Sequence, residues 1–200
     1  MRRTLALSLL SLLSAFPSWG EAPWKLERRE ADGLVVESRK VPESDYPELR
    51  VSGRVKATAE ALATAAWTWR PDGVEGRMVE RRLVLVDQPD SKLVYQLMRP
   101  PMVSRRESLL RMERQTSADG VISIQVHSDE GELPEQHSDA VRVPLVRISW
   151  RLEPDGAGGA SFEYRCLSEP GGGVPAWLAF NTQLGVSVDI VRDVVAFATR

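Results

Sequence analysis

The stretch Glu169-Pro170-Gly171-Gly172-Gly173-Val174-Pro175-Ala176-Trp177-Leu178 decides how this chain folds. Three consecutive glycines allow backbone angles that other residues resist, and Pro175 suits the first turn of a helix, where no N–H is needed. Downstream, Trp177, Leu178, Leu184, Val188, Val191 and Val195 recur at helical spacing and predict one apolar face on a long C-terminal helix. Such a face requires a partner surface. Upstream, Phe162, Tyr164 and Cys166 alternate with Glu163 and Arg165, so the glycines deliver a strand with one dry face into that helix.

The same alternation recurs toward the N-terminus. Val146, Ile148, Trp150 and Leu152 alternate with Arg147, Ser149 and Arg151, and Ile122, Ile124 and Val126 alternate with Ser123 and Gln125. Strands are predicted at 79–86, 92–98, 104–114, 121–128, 141–152 and 160–167, separated by Pro-, Asp- and Gly-rich turns. A first pair is predicted at 34–39 and 50–56, joined by a turn over 41–47. Between that pair and the rest, Thr58 caps a helix whose stripe is Ala61, Leu62, Ala65, Ala66 and Trp69, and Pro71-Asp72-Gly73 ends it. The simplest closure is an α+β fold in which a curved antiparallel sheet wraps its dry face round the C-terminal helix, leaving its other face wet.

The N-terminus reads as an export signal. Arg2 and Arg3 precede the apolar run Leu5 to Leu13, and Ser18-Trp19-Gly20 supplies the small residues of a cleavage site. The run is shorter than the ~20 apolar residues that span a bilayer, and no cysteine stands near it for a lipid anchor. The expectation is therefore a signal at 1–20, one domain at 21–200, and a periplasmic or secreted location. Cleavage removes two of the 26 basic residues and none of the 28 acidic ones, so the charge moves from −2 to −4. An acidic chain without a basic patch is not expected to bind nucleic acid. Cys166, the single cysteine, lies in an apolar strand pattern and reads as a buried thiol.

No catalytic or metal-binding constellation emerges. His127 and His137 lack a partner at metal-ligand spacing, the carboxylates of the 128–137 loop do not follow a calcium-loop pattern, and no nucleophile elbow is present. The chain is expected to need no metal or cofactor and not to be an enzyme. The 128–140 loop reads as a solvated segment and, with the helix entry around Gly171 to Trp177, as a candidate gate.

Four segments, in order, resemble the StAR-related lipid-transfer (START) domain. Ala31-Asp32-Gly33-Leu34-Val35-Val36 with Ser38-Arg39 is similar to the opening strand of that family. Leu93-Val94-Tyr95 followed by Arg99-Pro100-Pro101-Met102-Val103-Ser104-Arg105-Arg106-Glu107 is similar to its central proline, serine and Arg-Asp signature, with Glu107 in place of the aspartate. Val141-Arg142-Val143 with Trp150 through Pro154 is similar to the strand that follows, and Glu169 to Leu178 to the approach to its last helix.

The resemblance implies a helix-grip fold with a lipid-sized tunnel between sheet and helix, and a lipid or other hydrophobic small molecule as partner, with transient membrane contact at release. The wall it implies comprises Arg106, Ser108, Leu110, Met112, Ile148, Trp150, Phe162, Tyr164, Trp177, Leu178, Asn181, Leu184 and Val188. The family often has a basic residue where this chain has Met112, so the wall reads as largely apolar. Arg106 with Glu107 either anchors a ligand's polar end or forms a pair that fixes the strand after Pro100-Pro101. Two other readings stay open: a cyclase- or hydrolase-like enzyme in the same cavity, using Arg106, Glu107, Tyr164 or His127, and a solid-cored interaction module.

Overall fold

Ten strands form one sheet in the computed structural model, which describes residues 22–68, 78–100 and 103–200. The expected export signal, Trp69, the Pro71-Asp72-Gly73 helix stop, Pro101 and Met102 lie outside the described residues. In chain order come β1 (Lys25–Arg29), β2 (Val35–Val41), β3 (Ser44–Val55), α1 (Ala59–Thr68), β4 (Val79–Asp87), β5 (Ser91–Met98) and β6 (Arg105–Thr116). They are followed by β7 (Ile122–Ser128), β8 (Ala140–Arg142), β9 (Leu145–Pro154), β10 (Ala160–Glu169) and the long C-terminal helix, here α2 (Ala176–Ala198). The sheet order is β1-β2-β3-β10-β9-β7-β6-β5-β4, antiparallel throughout, with β8 beside β6 in parallel. This is the expected α+β helix-grip arrangement.

Register places the alternating apolar residues on one inner face. Phe162 stands opposite Leu152, Tyr164 opposite Trp150 and Cys166 opposite Ile148, while Ile124 faces Trp150 from the other side of β9. These residues join Val36, Leu49 and Val51 in the main core, together with Leu62 and Ala63 of α1 and Leu184, Val188, Val191 and Val194 of α2. Each fully buried side chain of this size contributes about 1.5–3 kcal/mol, so the helical face and the sheet hold each other in place. Val194 is buried and Val195 only partly so, a shift of one residue from the expected stripe. Cys166 is buried on this face.

Four sequence expectations need correction. The outer face is not wet throughout: Tyr95, Leu97 and Leu109 form a second apolar cluster there, joined by Leu83, Leu93, Leu133 and Ala140. β5 is apolar on both faces, the pattern of a strand covered on both sides. The segment that covers it is the loop half of the expected gate. Asp129 donates its N–H to the Leu109 carbonyl at 2.8 Å and Leu133 packs on the cluster, so this loop is seated on the outer face, away from α2.

The strand expected over 141–152 divides at Pro144, which has no N–H to offer a ladder. Its first part crosses to β6 as β8, and Val143 donates to the Glu107 carbonyl. Pro47 lies inside β3 rather than in a turn, and is tolerated because the β10 ladder begins only at Leu49. β1 was not expected, since Lys25-Leu26-Glu27-Arg28-Arg29 shows no apolar alternation. It is an edge strand, where charge is common.

Candidate functional site

The two described helices cover the inner face unevenly. α2 lies over β3 and β10 and against α1, while α1 lies over β7, β9 and β10. Toward β5 and β6 the described contacts of α1 are at their far end, where Arg114 binds Glu60 at 2.6 Å and Lys92 stands 5.0 Å from the Trp67 ring. The inner residues between that end and Arg106 are Met112, Leu110 and Ser108 on β6, with Val94 and Gln96 opposite them on β5. Most of this wall is buried, yet no helix lies along it among the described elements.

The expected wall residues fall into three groups. Ser108, Leu110, Met112 and Ile148 line the inner face from β6 to β9, as strand parity required, with Met112 at the margin of the main core and Leu110 and Ile148 packed against it. Trp150, Phe162, Tyr164, Leu184 and Val188 are locked in the main core, with the Trp150 ring 4.8 Å from Tyr164 and 6.3 Å from Phe162. Trp177, Leu178 and Asn181 lie at the exposed start of α2 rather than in the interior, and Trp177 is 67% exposed. By helical phase Trp177 is within about 20° of Leu184 and Val188, so it is on the core side of α2 but beyond the reach of the sheet. Val94 and Gln96 were missed. Their parity with Leu110 and Ser108 becomes visible only once the β5–β6 register is known.

Arg106 ties the wall to the helix lead-in. Its Nε donates to the Pro170 carbonyl at 3.0 Å, Nη2 to the Gly171 carbonyl at 3.3 Å, and Nη1 to the Ser104 carbonyl at 2.5 Å. Gly171, Gly172 and Gly173 all take positive φ, at 68°, 64° and 70°. This left-handed run turns the chain back from β10, and an L side chain resists it. Pro175 is the N-cap rather than the first helical residue, and its carbonyl accepts from Leu178 and Ala179. Tyr46 donates to the Val174 carbonyl at 2.8 Å and Gln183 to the Ser168 carbonyl at 2.6 Å, which secures the lead-in on both sides.

The expected Arg106–Glu107 pair does not form. Neighbours on a strand point to opposite faces, and Glu107 points outward, where it accepts from Tyr95 Oη at 3.3 Å. Burial, reinforced by the adjacent Glu107 charge, pushes the Tyr95 phenol up to about 12. Glu107 lies at one side of an outer groove of about 660 Å³, with Glu130, Leu133, His137 and Arg142. Arg106 is buried without a carboxylate in ion-pair reach among the described residues, and that burial pulls its pKa below the ordinary arginine value. His127 stands opposite Arg147 on the outer face. Of the four residues considered as proton carriers, only Arg106 and Tyr164 therefore share the inner face. Among the described residues no group of three or more metal-ligating side chains occurs.

No family model matches the chain. Among curated proteins it is 29% identical over 191 residues to an uncharacterized protein of Pseudomonas aeruginosa, covering 90% of this chain and 89% of that one. Among solved structures it is similar to a STAR-related lipid transfer protein of Xanthomonas axonopodis, a fragment comprising residues 25–204. The TM-score is 0.73 and the identity 27%, over 88% of this chain and 99% of the other. Human STARD10 superposes with a TM-score of 0.74 at 14% identity, over 88% of this chain and 73% of its own. Long sheet, glycine turn and gripping helix together give this chain the fold of the StAR-related lipid-transfer domain.

Proposed function

We propose that this chain is an exported, non-catalytic lipid carrier that holds one hydrophobic molecule between the sheet and α2, in the periplasm or outside the cell. The observation that carries the reading is the inner wall of β5 and β6, apolar at Val94, Leu110 and Met112 and, among the described elements, without a helix along it. Each CH₂ of a chain laid on such a wall contributes about 0.8 kcal/mol relative to water, so a long hydrocarbon is retained without specific contacts. The likeness to the Xanthomonas lipid transfer protein supports the same reading. Release proceeds at the start of α2, where Trp177 and Leu178 offer apolar surface to a membrane.

The test is native mass spectrometry, with organic extraction, of the mature protein purified from its own host. A stoichiometric hydrophobic molecule, recovered chemically unchanged after incubation, is expected. A protein that is empty from its host and takes up no lipid from vesicles overturns the proposal, and conversion of the bound molecule overturns its non-catalytic part.

A further inference from the structure

Resting on the carrier reading, we infer that the bound molecule carries an anionic head group, held by Arg106, Ser108 and Gln96 at the end of the wall nearest the glycine turn. Register brings the three together. Arg106 stands opposite Met98 and Ser108 opposite Gln96, so all three share the inner face on two adjacent strands. Arg106 and Ser108 are two residues apart, a spacing of about 7 Å along a strand. Their exposures are 5%, 6% and 4% for Arg106, Ser108 and Gln96.

The Ser108 hydroxyl and the Gln96 amide make no side-chain hydrogen bond to a described residue and are not among the fully enclosed orphan atoms, so both stay reachable at the wall. Arg106 faces only backbone carbonyls. A guanidinium has five N–H donors, and the three carbonyls leave two of them unused. Carbonyl dipoles do not neutralise a buried cation, and Glu107, the adjacent acid, points away on the other face. The missing component is negative and rich in acceptors. A carboxylate or phosphate oxygen fits each donor present: the two remaining guanidinium N–H groups, the Ser108 hydroxyl and the Gln96 amide. Leu110, Met112 and Val94 continue the same face beyond the polar group and receive the hydrocarbon. The downward pull of burial on the Arg106 pKa agrees with a cation that lacks its counter-charge.

The test compares cis-parinaric acid with its methyl ester, two fluorescent polyenes with the same chain and different head-group charge, titrated into the mature protein at pH 8. The acid is expected to bind at least about tenfold tighter than the ester, the scale of one charge-assisted contact. In Arg106→Met that advantage disappears, and acid and ester bind equally. Ser108→Ala and Gln96→Leu leave the Arg106 clamp intact and are expected to reduce the advantage about threefold each. They supply the answer if Arg106→Met fails to fold. Equal affinity of the wild-type protein for acid and ester overturns the head-group inference alone. Absence of binding by either probe removes the carrier reading, and this inference with it.

Discussion

Alanine placed in turn at Gly171, Gly172 and Gly173 separates two costs that usually arrive together. All three residues have φ between 64° and 70°, so each substitution meets the same left-handed penalty of about 1–2 kcal/mol. That is partly offset by the about 0.4–1 kcal/mol that alanine gains by restricting the unfolded chain. The surroundings differ. A Cβ at Gly173 meets nothing within 4 Å, one at Gly172 comes 3.1 Å from Arg106 Nη2, and one at Gly171 comes 3.1 Å from Pro144 Cδ and 3.2 Å from Val141 Cγ1. Gly173→Ala therefore costs about 0.5–1 kcal/mol from the backbone alone. Gly172→Ala costs little more, because a guanidinium can shift, but it disturbs the Arg106 clamp. Gly171→Ala presses on a proline ring and a strand residue, and its cost rises to about 2 kcal/mol. For a domain of this size that is a fall in Tm of about 4–8 °C. Urea unfolding at constant m-value, with melting curves, reads the order. Equal losses at all three positions, or the largest at Gly173, would refute the assignment of a packed turn on one side and an open one on the other.

Three further predictions follow from the interior. Leu110→Trp is expected to fold normally and lose probe binding, whereas Leu152→Trp, in the filled core, is expected to unfold the protein; circular dichroism with a polyene titration separates the two. Removing the buried partner of Arg39, whose Nε binds Glu48 Oε2 at 2.6 Å, is expected to cost about 3 kcal/mol in Glu48→Ala, measured by denaturant unfolding. The double change to methionine at both positions recovers most of the loss if the buried Arg39 charge without the Glu48 carboxylate is the cause. Tyr95 is expected to ionise near 12 in the folded state against 10.0 in the unfolded chain. Its contribution of about 2–3 kcal/mol is fully present below pH 10 and is lost as pH rises toward 12, since the unfolded chain releases the proton first. Alkaline absorbance titration of wild type against Tyr95→Phe checks it, and a Tyr95 midpoint near 10 counts against the buried Tyr95–Glu107 contact.

How much was legible depended on which physical signal each element carries. β9, β10 and α2 were readable because a period of two gives way to one of 3.6 across three glycines, and both patterns are set by a single buried face. β5 was misread as one-sided because Leu93-Val94-Tyr95 is apolar at both parities, which a local pattern does not assign to a face. The helical phase of Trp177 was right, but its environment depends on where the sheet ends, and that is a property of the whole fold. Gln96 left no trace at all. A lone glutamine in an apolar strand becomes part of a site only when the ladder sets it opposite Ser108. Arg106 and Glu107 illustrate the reverse: adjacency suggested a pair, while the pleat of the strand sends the two charges to opposite faces.

The double covering of β5 divides the molecule into a part that breathes and a part that does not. With Tyr95 and Leu97 sealed by the outer cluster and Val94 buried beneath, the amides at the centre of this strand exchange with solvent only when the domain unfolds. The first turn of α2, where Trp177 is exposed, is expected to open at lower free energy than this strand. On the proposed carrier reading, passage of a molecule in or out is expected at that end, at a rate set by local opening of the turn and independent of the stability of the wall.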